Sequence, residues 1–139
     1  MTNSAPAVLC VCVHNSGKSV MAQGLMQHTA GDQITATSAG TDAASGVNAQ
    51  SVDVLGELGI DISGHTATQL TDDLVAAADL VVVVGTQAQV TPVGGTPIEI
   101  WDTDEPSLRG IDGIERMRLI RDDLATRVTD LTTRLTAAQ

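Results

Sequence analysis

Aromatic side chains are almost absent from this sequence of 139 residues, which contains no Phe, no Tyr and one Trp, Trp101. A hydrophobic core must therefore consist of aliphatic residues and Met. Such a core is expected, because hydrophobic residues make up 42% of the chain, a share that excludes intrinsic disorder. The length fits one core, and no linker or repeat divides the chain, so we predict a single domain over residues 1–139.

Basic residues are scarce as well. Only 7 Lys and Arg stand against 17 Asp and Glu, and the formal net charge is −10. The field of such a chain repels a nucleic-acid backbone and an anionic membrane surface, so neither is expected as a partner. A small anionic ligand would have to be held locally, by backbone N–H groups and a cation.

Neither a membrane span nor a secretion signal is predicted. The apolar run Leu80–Val84 is far shorter than the roughly 20 residues that a membrane-spanning helix needs. Residues 1–5 are polar and lack a basic start, which argues against a signal peptide. We therefore expect a cytoplasmic protein whose thiols stay reduced.

Cysteine is limited to Cys10 and Cys12. Their separation by one residue disfavours a disulfide between them. Cys10 is predicted to be a buried strand residue, which is a common place for Cys. His28 and His65 have no Cys or carboxylate partner at metal-ligand spacing, so no metal site is predicted.

Alternation and short apolar runs predict four strands, at residues 7–11, 34–38, 80–84 and 98–101. Helical periodicity predicts helices at residues 19–29, 48–58 and 111–135, and a short one that begins at Thr71. The order β-α-β-α-α-β-β-α predicts an α/β fold, with a four-stranded parallel sheet and helices on both faces.

Two of these helices carry more specific expectations. In the second, Asn48 is the predicted N-cap and Gly59 the predicted end. Its predicted inward face is formed by Val52, Leu55 and Leu58. The last helix has an apolar stripe whose members follow one another at intervals typical of one helical face. They are Met117, Ile120, Leu124, Val128, Leu131 and Leu135.

The segment Cys12–Ser19 connects the first predicted strand to the first predicted helix. In an open parallel sheet, ligands bind beyond the carboxyl ends of the strands, and a helix N-terminus attracts anions with its unpaired N–H groups. A thiolate is favoured at such a place, so Cys12 is the predicted nucleophile. The Ser19 hydroxyl is predicted to donate to this thiolate. Asn15 and Gly17 are predicted to take up the unusual backbone angles that a loop around an anion needs.

Two loop patterns compare with this segment. Gly17-Lys18-Ser19 matches the end of the nucleotide-binding pattern G-x-x-x-x-G-K-[ST], but position 12 would have to be Gly and is Cys, which argues against a nucleotide site. The pattern C-x-x-x-x-x-R-[ST] of cysteine phosphatases fits, with Lys18 in the place of Arg. Two alternatives stay open at this point, namely Cys12 as an inert buried cysteine and Lys18 as an exposed first-turn lysine.

Five segments, in order and spacing over nearly the whole chain, match one family. They are Leu9–Ser19, Ser38–Thr41, Glu57–His65, Asp79–Gly85 and Trp101–Pro106. With them the chain resembles the low-molecular-weight phosphatase superfamily, and within it the arsenate reductases of that fold. The resemblance implies a three-layer αβα architecture.

The resemblance also implies a mechanism in which the Cys12 thiolate attacks phosphorus or arsenic, with Ser19 supporting it. The oxyanion would be held by the loop residues Val13, His14, Asn15, Ser16, Gly17 and Lys18. An acid would protonate the departing oxygen. Glu105 replaces the family's Asp before Pro, and Asp104 is the fallback. Because the Lys18 ammonium is a point charge where Arg grips two oxygens, we expect weaker oxyanion binding and a lower rate than in a typical member.

Two histidines have predicted roles within this picture. His14 lies inside the loop, and it either orients the loop through a hydrogen bond or faces solvent. His65 is predicted to brace a loop rather than to react.

Two absences narrow the expected chemistry. A phosphotyrosine site needs aromatic or large apolar walls, and Trp101 is the one aromatic residue that could supply them. The loop 85–92 lacks the two further cysteines that thioredoxin-linked members carry there, and Cys10 is too constrained by its strand to act as a resolving thiol. The segment Val11–Asn15 resembles the mycothiol-dependent arsenate reductases, which pass arsenic to mycothiol for release as arsenite by a mycoredoxin.

We therefore expect an arsenate reductase in which Cys12 attacks arsenate and passes the arsenic to an external low-molecular-weight thiol. The expected thiol is mycothiol, with a mycoredoxin or glutaredoxin-like protein as partner and no bound cofactor; glutathione and bacillithiol stay open. One alternative is a low-molecular-weight protein tyrosine phosphatase. A second, motivated by Lys18 and Glu105, is a weakly active or non-catalytic oxyanion-binding paralogue.

Overall fold

The computed structural model describes residues 5–44 and 46–137. Residues 1–4, on which most of the argument against a signal peptide rests, lie outside these ranges. The strands are β1 Ala7–Cys12, β2 Thr35–Gly40, β3 Leu80–Val84 and β4 Ile98–Trp101. The helices are α1 Lys18–Ala30, α2 Ala49–Gly56, α3 Asp72–Ala77 and α4 Gly113–Thr136. Short 3₁₀ turns lie at Gly31–Gln33 and Pro106–Arg109.

The four strands form one parallel sheet in the order β2-β1-β3-β4, which confirms the predicted fold class. Side chains of α1, α2 and α4 pack on one face of this sheet. The other face is covered by α3 and by apolar residues of the loop between β3 and β4. No helix within the described ranges is long and apolar enough to cross a membrane.

Strand β1 occupies a central place in the sheet, between β2 and β3. Its successive residues therefore point into two different apolar layers: Val8 and Cys10 into one, Leu9 and Val11 into the other. This explains the uninterrupted apolar run of the sequence, and it confirms Cys10 as a fully buried strand residue. In register, Cys12 pairs with Gly40, so the ends of β1 and β2 meet at the same edge.

The apolar stripe of α4 is confirmed, because Met117, Ile120, Leu124, Val128 and Leu131 are buried and Leu135 packs against them. In α2 the predicted cap is also confirmed: the Asn48 side chain accepts a hydrogen bond from the Ser51 N–H at 2.9 Å.

The prediction for Leu58 is wrong, since its side chain is 44% exposed. Helix α2 ends at Gly56, and a turn follows in which the Leu58 N–H donates to the Leu55 carbonyl. Position 58 therefore no longer continues the helical face. The buried face of α2 consists of Ser51, Val54 and Leu55.

Candidate active site

The loop between β1 and α1 curves around a small cavity of about 230 Å³. One wall is formed by the loop itself, through Cys12, Val13, His14, Ser16, Gly17 and Lys18. The opposite wall comes from the end of β3 and the loop after it, through Val84, Gly85, Gln87 and Ala88. The cavity thus lies beyond the carboxyl ends of two adjacent parallel strands, where the fold places ligands.

Two hydrogen bonds reach the sulfur of Cys12. The Ser19 hydroxyl lies 2.9 Å from Sγ, and the Asn15 N–H donates to Sγ at 3.3 Å. The Asn15 side-chain amide also donates to the Ser19 oxygen at 2.8 Å, so the hydroxyl hydrogen of Ser19 is free to point at the sulfur. The predicted contact between Ser19 and Cys12 is therefore present. Both donors stabilise negative charge on the sulfur.

Asn15 is the buried centre of this network, with no exposed surface and a left-handed backbone at φ 54°. Its Oδ1 accepts from the Thr68 N–H at 2.9 Å and from His65 Nε2 at 3.1 Å. His65 Nε2 also lies 3.0 Å from the Asn15 carbonyl oxygen, which confirms that His65 braces the loop. The sequence indicated Asn15 as a residue tolerant of unusual angles and as an oxyanion-holding residue, but not as the centre of this network, because His65 and Thr68 lie 50 or more positions away.

One prediction about the loop needs correction. Asn15 does not line the cavity, and its N–H is engaged by Cys12 Sγ, so it acts on the nucleophile rather than on the oxyanion. Gly17 has φ −136° and ψ −93°, outside the helical and extended regions, so Asn15 and Gly17 both adopt the unusual backbone angles that were predicted.

The carbonyl groups of the loop are held by the body of the protein. The carbonyl oxygens of Cys12, Val13, His14 and Ser16 accept from N–H groups of residues 41, 42, 44 and 48 at 2.6 to 3.1 Å. In a trans peptide the N–H points opposite to the carbonyl, so these bonds turn the loop amides toward the cavity. The loop is thus prepared to donate several N–H groups to one anion.

Gly40, at the end of β2, makes this arrangement sterically feasible. A Cβ at this position would lie 2.7 Å from the Val13 carbonyl oxygen and 2.9 Å from the Asn15 nitrogen. These are backbone atoms that cannot rotate away. The second-strand motif Ser38–Thr41 therefore contains glycine because the loop backbone passes directly over it.

His14 combines the two alternatives that the sequence left open. Its side chain is exposed, and its Nδ1 lies 3.0 Å from the carbonyl oxygen of Asp42. The ring therefore ties the loop to the segment after β2 while its other edge faces outward.

Lys18 brings a positive charge to the cavity. Its ammonium lies 3.8 Å from Glu105 Oε1, and its side chain is 28% exposed. Gly85 passes close to it, since a Cβ at Gly85 would lie 3.7 Å from Lys18 Nζ. Lys18 is therefore partly covered and directed at the site rather than free in solvent.

The predicted general acids, Glu105 and Asp104, do not line this cavity. They line an adjoining groove of about 630 Å³ that meets the cavity at Lys18 and Gly85. Hydrogen bonds from Arg116 are the main cause that lowers the pKa of Glu105 to about 2. Hydrogen bonds from Arg109 likewise lower the pKa of Asp104. Both predicted acids are thus ion-paired with arginine in this structure, and their role as proton donors stays a prediction.

A family model described as low molecular weight phosphotyrosine protein phosphatase matches residues 7–92 of this chain, more than half of its length. The chain belongs to this family. A putative arsenate reductase of Halobacterium salinarum is 30% identical over 128 residues, which are 87% of this chain and 87% of that protein. A probable low molecular weight protein-tyrosine-phosphatase of Ralstonia solanacearum, EpsP, is 45% identical over 80 residues, which are 56% of this chain and 54% of that protein.

A solved structure shares this fold at 30% identity with a TM-score of 0.82. It is the thioredoxin-dependent arsenate reductase Cg_ArsC1' of Corynebacterium glutamicum, and the match covers 100% of this chain and 66% of that one. The three-layer architecture implied by the sequence resemblance is confirmed.

Aromatic side chains take no part in the wall of the cavity described above. Trp101 does not contribute to it, because the indole is 3% exposed in the core and donates to Glu99 Oε2 at 2.6 Å. The lining residues include no Phe, Tyr or Trp in the part of the chain that the structure describes. Across all the residues that the structure describes, no cluster of three or more His, Cys, Asp or Glu side chains could hold a metal ion. The cavity therefore suits a small oxyanion held by amides and one ammonium.

Proposed function

We propose that this protein is an arsenate reductase that passes arsenic from Cys12 to an external low-molecular-weight thiol, mycothiol. The observation that carries the proposal is a small oxyanion cavity with a hydrogen-bonded thiol at its base and no aromatic wall. Arsenate, a compact tetrahedral oxyanion, fits such a cavity without needing a ring pocket.

Apart from Cys12, the sequence offers no reactive thiol that could take up the arsenic. Besides Cys12 the sequence contains only Cys10, and burial raises the pKa of that thiol to about 12. Gly85, Gln87 and Ala88 line the cavity where thioredoxin-linked members carry further cysteines. The sulfur that takes arsenic from Cys12 must therefore come from outside the chain.

The proposed reaction has three steps. In the first, the Cys12 thiolate forms a bond to arsenic and one arsenate oxygen leaves as water. In the second, the external thiolate bonds to the arsenic, the bond to Cys12 breaks, and the Cys12 thiolate is regenerated; arsenic is still pentavalent. In the third, a thiol of a mycoredoxin or glutaredoxin-like protein attacks the sulfur of the adduct. A disulfide forms and arsenic leaves with the electron pair as trivalent arsenite.

Two other functions are supported by particular observations. A phosphatase is favoured by the family match and by the 45% identity to EpsP, since phosphate esters react at the same thiolate. A weakly active or non-catalytic oxyanion-binding paralogue is favoured by the contact of Lys18 with Glu105, because this carboxylate competes with an oxyanion for the ammonium.

The deciding experiment measures arsenate turnover with each reducing system in turn. Mycothiol with mycoredoxin, glutathione with glutaredoxin, and thioredoxin alone are compared, and p-nitrophenyl phosphate hydrolysis is measured in parallel without thiol. Arsenate turnover that requires mycothiol and mycoredoxin, is lost in Cys12→Ser and is retained in the matched variant Cys10→Ala is the expected result.

Three other results would replace the proposal. Turnover with thioredoxin alone would assign the electrons to that protein. Hydrolysis of p-nitrophenyl phosphate without arsenate reduction would make the protein a phosphatase. Phosphate binding without turnover, unchanged in Cys12→Ser, would favour the non-catalytic paralogue.

A further inference from the structure

The groove that adjoins the cavity is large enough for a second ligand. It shares Lys18, Gly85 and Gln87 with the cavity, so the two form one continuous depression. The cavity, at about 230 Å³, is smaller than the roughly 300–1,000 Å³ of typical small-molecule sites, whereas the groove, at about 630 Å³, lies within that range. An oxyanion fits the cavity, but a thiol that carries sugar rings must place most of its atoms outside it.

One wall of the groove is held in place by α4. Arg127 donates from Nη2 to the Asp102 carbonyl at 2.8 Å, and the Asp123 carboxylate accepts from the Asp104 N–H at 2.9 Å. These bonds fix the backbone of residues 102–104, all of which line the groove. The wall is thus formed before a ligand arrives, as in most small-molecule sites.

Thr103, in the middle of this wall, has a hydroxyl group without a partner. Only 8% of the residue is exposed, and its Oγ1 makes no hydrogen bond within the described residues. Such a group is unfavourable, because nearly all buried polar groups in folded proteins are hydrogen-bonded. A ligand hydroxyl at this wall would supply the missing partner.

The cations of the groove are already engaged. Arg109 is paired with Asp104 at 2.7 Å, and Arg127 with Asp123 at 3.2 Å. Lys18 is the cation that the oxyanion needs. A carboxylate on an incoming thiol therefore finds no unpaired cation in the groove, as far as the described residues show.

Asp102 gives the groove an ionised acceptor instead. Its carbonyl oxygen accepts from Arg127, but among the described residues no side chain pairs with its carboxylate. A carboxylate offers several acceptor positions and binds hydroxyl donors more strongly than a neutral oxygen does. The formal net charge of −10 also repels anionic ligands. The groove therefore suits an uncharged ligand with many hydroxyl groups.

We propose that this groove binds the body of the external thiol and selects a thiol that is rich in hydroxyl groups and lacks carboxylates. The inference deepens the proposed function and rests on it, because it assigns a binding site to the second substrate of the same reaction. Mycothiol belongs to this class, since its N-acetylated cysteine is joined to a glucosamine–inositol unit. Glutathione and bacillithiol each carry two carboxylates, so the same groove disfavours them.

Two substitutions test the groove, each with a matched control. Thr103→Val removes the unpaired hydroxyl at nearly constant volume. Its control is Thr132→Val, because Thr132 also has a buried hydroxyl without a partner in the described residues but lines neither cavity nor groove. Asp102→Lys adds an unpaired cation to the groove. Its control is Asp32→Lys, which makes the same change in net charge at an exposed position outside both.

The KM of mycothiol is measured at saturating arsenate with excess mycoredoxin, and inhibition by phosphate reports on the cavity. Thr103→Val should raise this KM by about 2- to 10-fold, which corresponds to one lost hydrogen bond, without lowering stability or changing phosphate inhibition. Asp102→Lys should shift the ratio of kcat/KM for mycothiol to that for glutathione by about 10-fold toward glutathione, which corresponds to one gained charge-assisted bond. Thr132→Val should leave the KM, and Asp32→Lys the ratio, unchanged.

A binding measurement without reaction keeps this inference separate from the proposed function. S-Methylmycothiol, which cannot attack arsenic, is titrated into ¹⁵N-labelled protein in the presence of phosphate, and S-methylglutathione is titrated in parallel. The backbone amide signals of residues 86, 87 and 102–104 should shift with the first compound and not with the second.

The inference is overturned if both compounds shift these signals equally, if neither does, or if the shifts lie outside the groove. It is also overturned if arsenate turnover requires mycothiol but Thr103→Val and Asp102→Lys leave the thiol constants unchanged; the proposed function then stands without it. If mycothiol supports no arsenate reduction but S-methylmycothiol selectively shifts the groove signals, the proposed function fails and the groove assignment stands. Absence of both turnover and shifts overturns both.

Discussion

Replacing Asn15 tests whether the loop is held by its backbone angle or by its side chain. In Asn15→Ala the Thr68 N–H, the His65 ring and the Ser19 oxygen each lose a hydrogen-bond partner. At about 0.5–1.5 kcal/mol for each bond, the free energy of unfolding should fall by roughly 2–4 kcal/mol. The protein should still fold, because domains of this size are typically stable by about 5–15 kcal/mol.

Asn15→Gly separates the two contributions. It loses the same side chain but adopts the φ of 54° freely. The left-handed conformation destabilises the folded Asn15→Ala variant by about 1–2 kcal/mol. The unfolded Ala chain is less flexible than the unfolded Gly chain, and this offsets about 0.4–1 kcal/mol of that destabilisation. Asn15→Ala should therefore be less stable than Asn15→Gly by roughly 0.5–1 kcal/mol, as measured by urea unfolding. Equal stabilities of the two variants would refute the assigned role of the backbone.

The same variants should lower the reactivity of the Cys12 thiol. Without the side-chain amide of Asn15, the Ser19 hydroxyl is no longer oriented toward Cys12 Sγ. Alkylation of Cys12 by iodoacetamide should therefore be slower at a fixed pH in both variants and in Ser19→Ala. Buried Cys10 should not interfere in the folded protein. An unchanged rate of alkylation would show that the network serves stability alone.

Three further outcomes are expected. Gly40→Ala should lower arsenate turnover by about 10²-fold, because a Cβ 2.7 Å from the Val13 carbonyl oxygen displaces the loop. Gly56→Ala is the control and should leave turnover unchanged, because a Cβ at Gly56 meets nothing within 4 Å. Equal activities of the two variants would contradict the steric explanation. Lys18→Arg should lower the inhibition constant of phosphate, since a guanidinium binds two oxygens, and an unchanged constant would show that charge alone matters. Hydrogen bonds from arginine lower the pKa of Glu57 to about 2, so the stability that it contributes is present above its unfolded pKa of about 4.3 and is lost as the pH falls toward 2. Urea unfolding from pH 5 to pH 3 should show a shallower decline in Glu57→Gln, and parallel curves would contradict this.

Much of the fold could be predicted because it depends on local patterns. The apolar run of β1, the period of α4 and the cap at Asn48 each reflect neighbours within a few positions, and all were confirmed. The failure at Leu58 has the same origin. Periodicity continued past Gly56, but the helix ended there, and no local pattern distinguished the last helical turn from the turn after it.

By itself the sequence determined where the candidate site lies, since a cysteine between a buried strand and a helix N-terminus must come to the carboxyl edge of the sheet. Only the tertiary structure decided how its groups are charged and held. Arg116 reaches Glu105 from α4, 11 positions away, and His65 and Thr68 reach Asn15 from 50 and 53 positions away. Such contacts follow from the packing of helices and loops around the sheet. For that reason a carboxylate that the sequence indicated as an acid is an ion-paired anion in the folded protein.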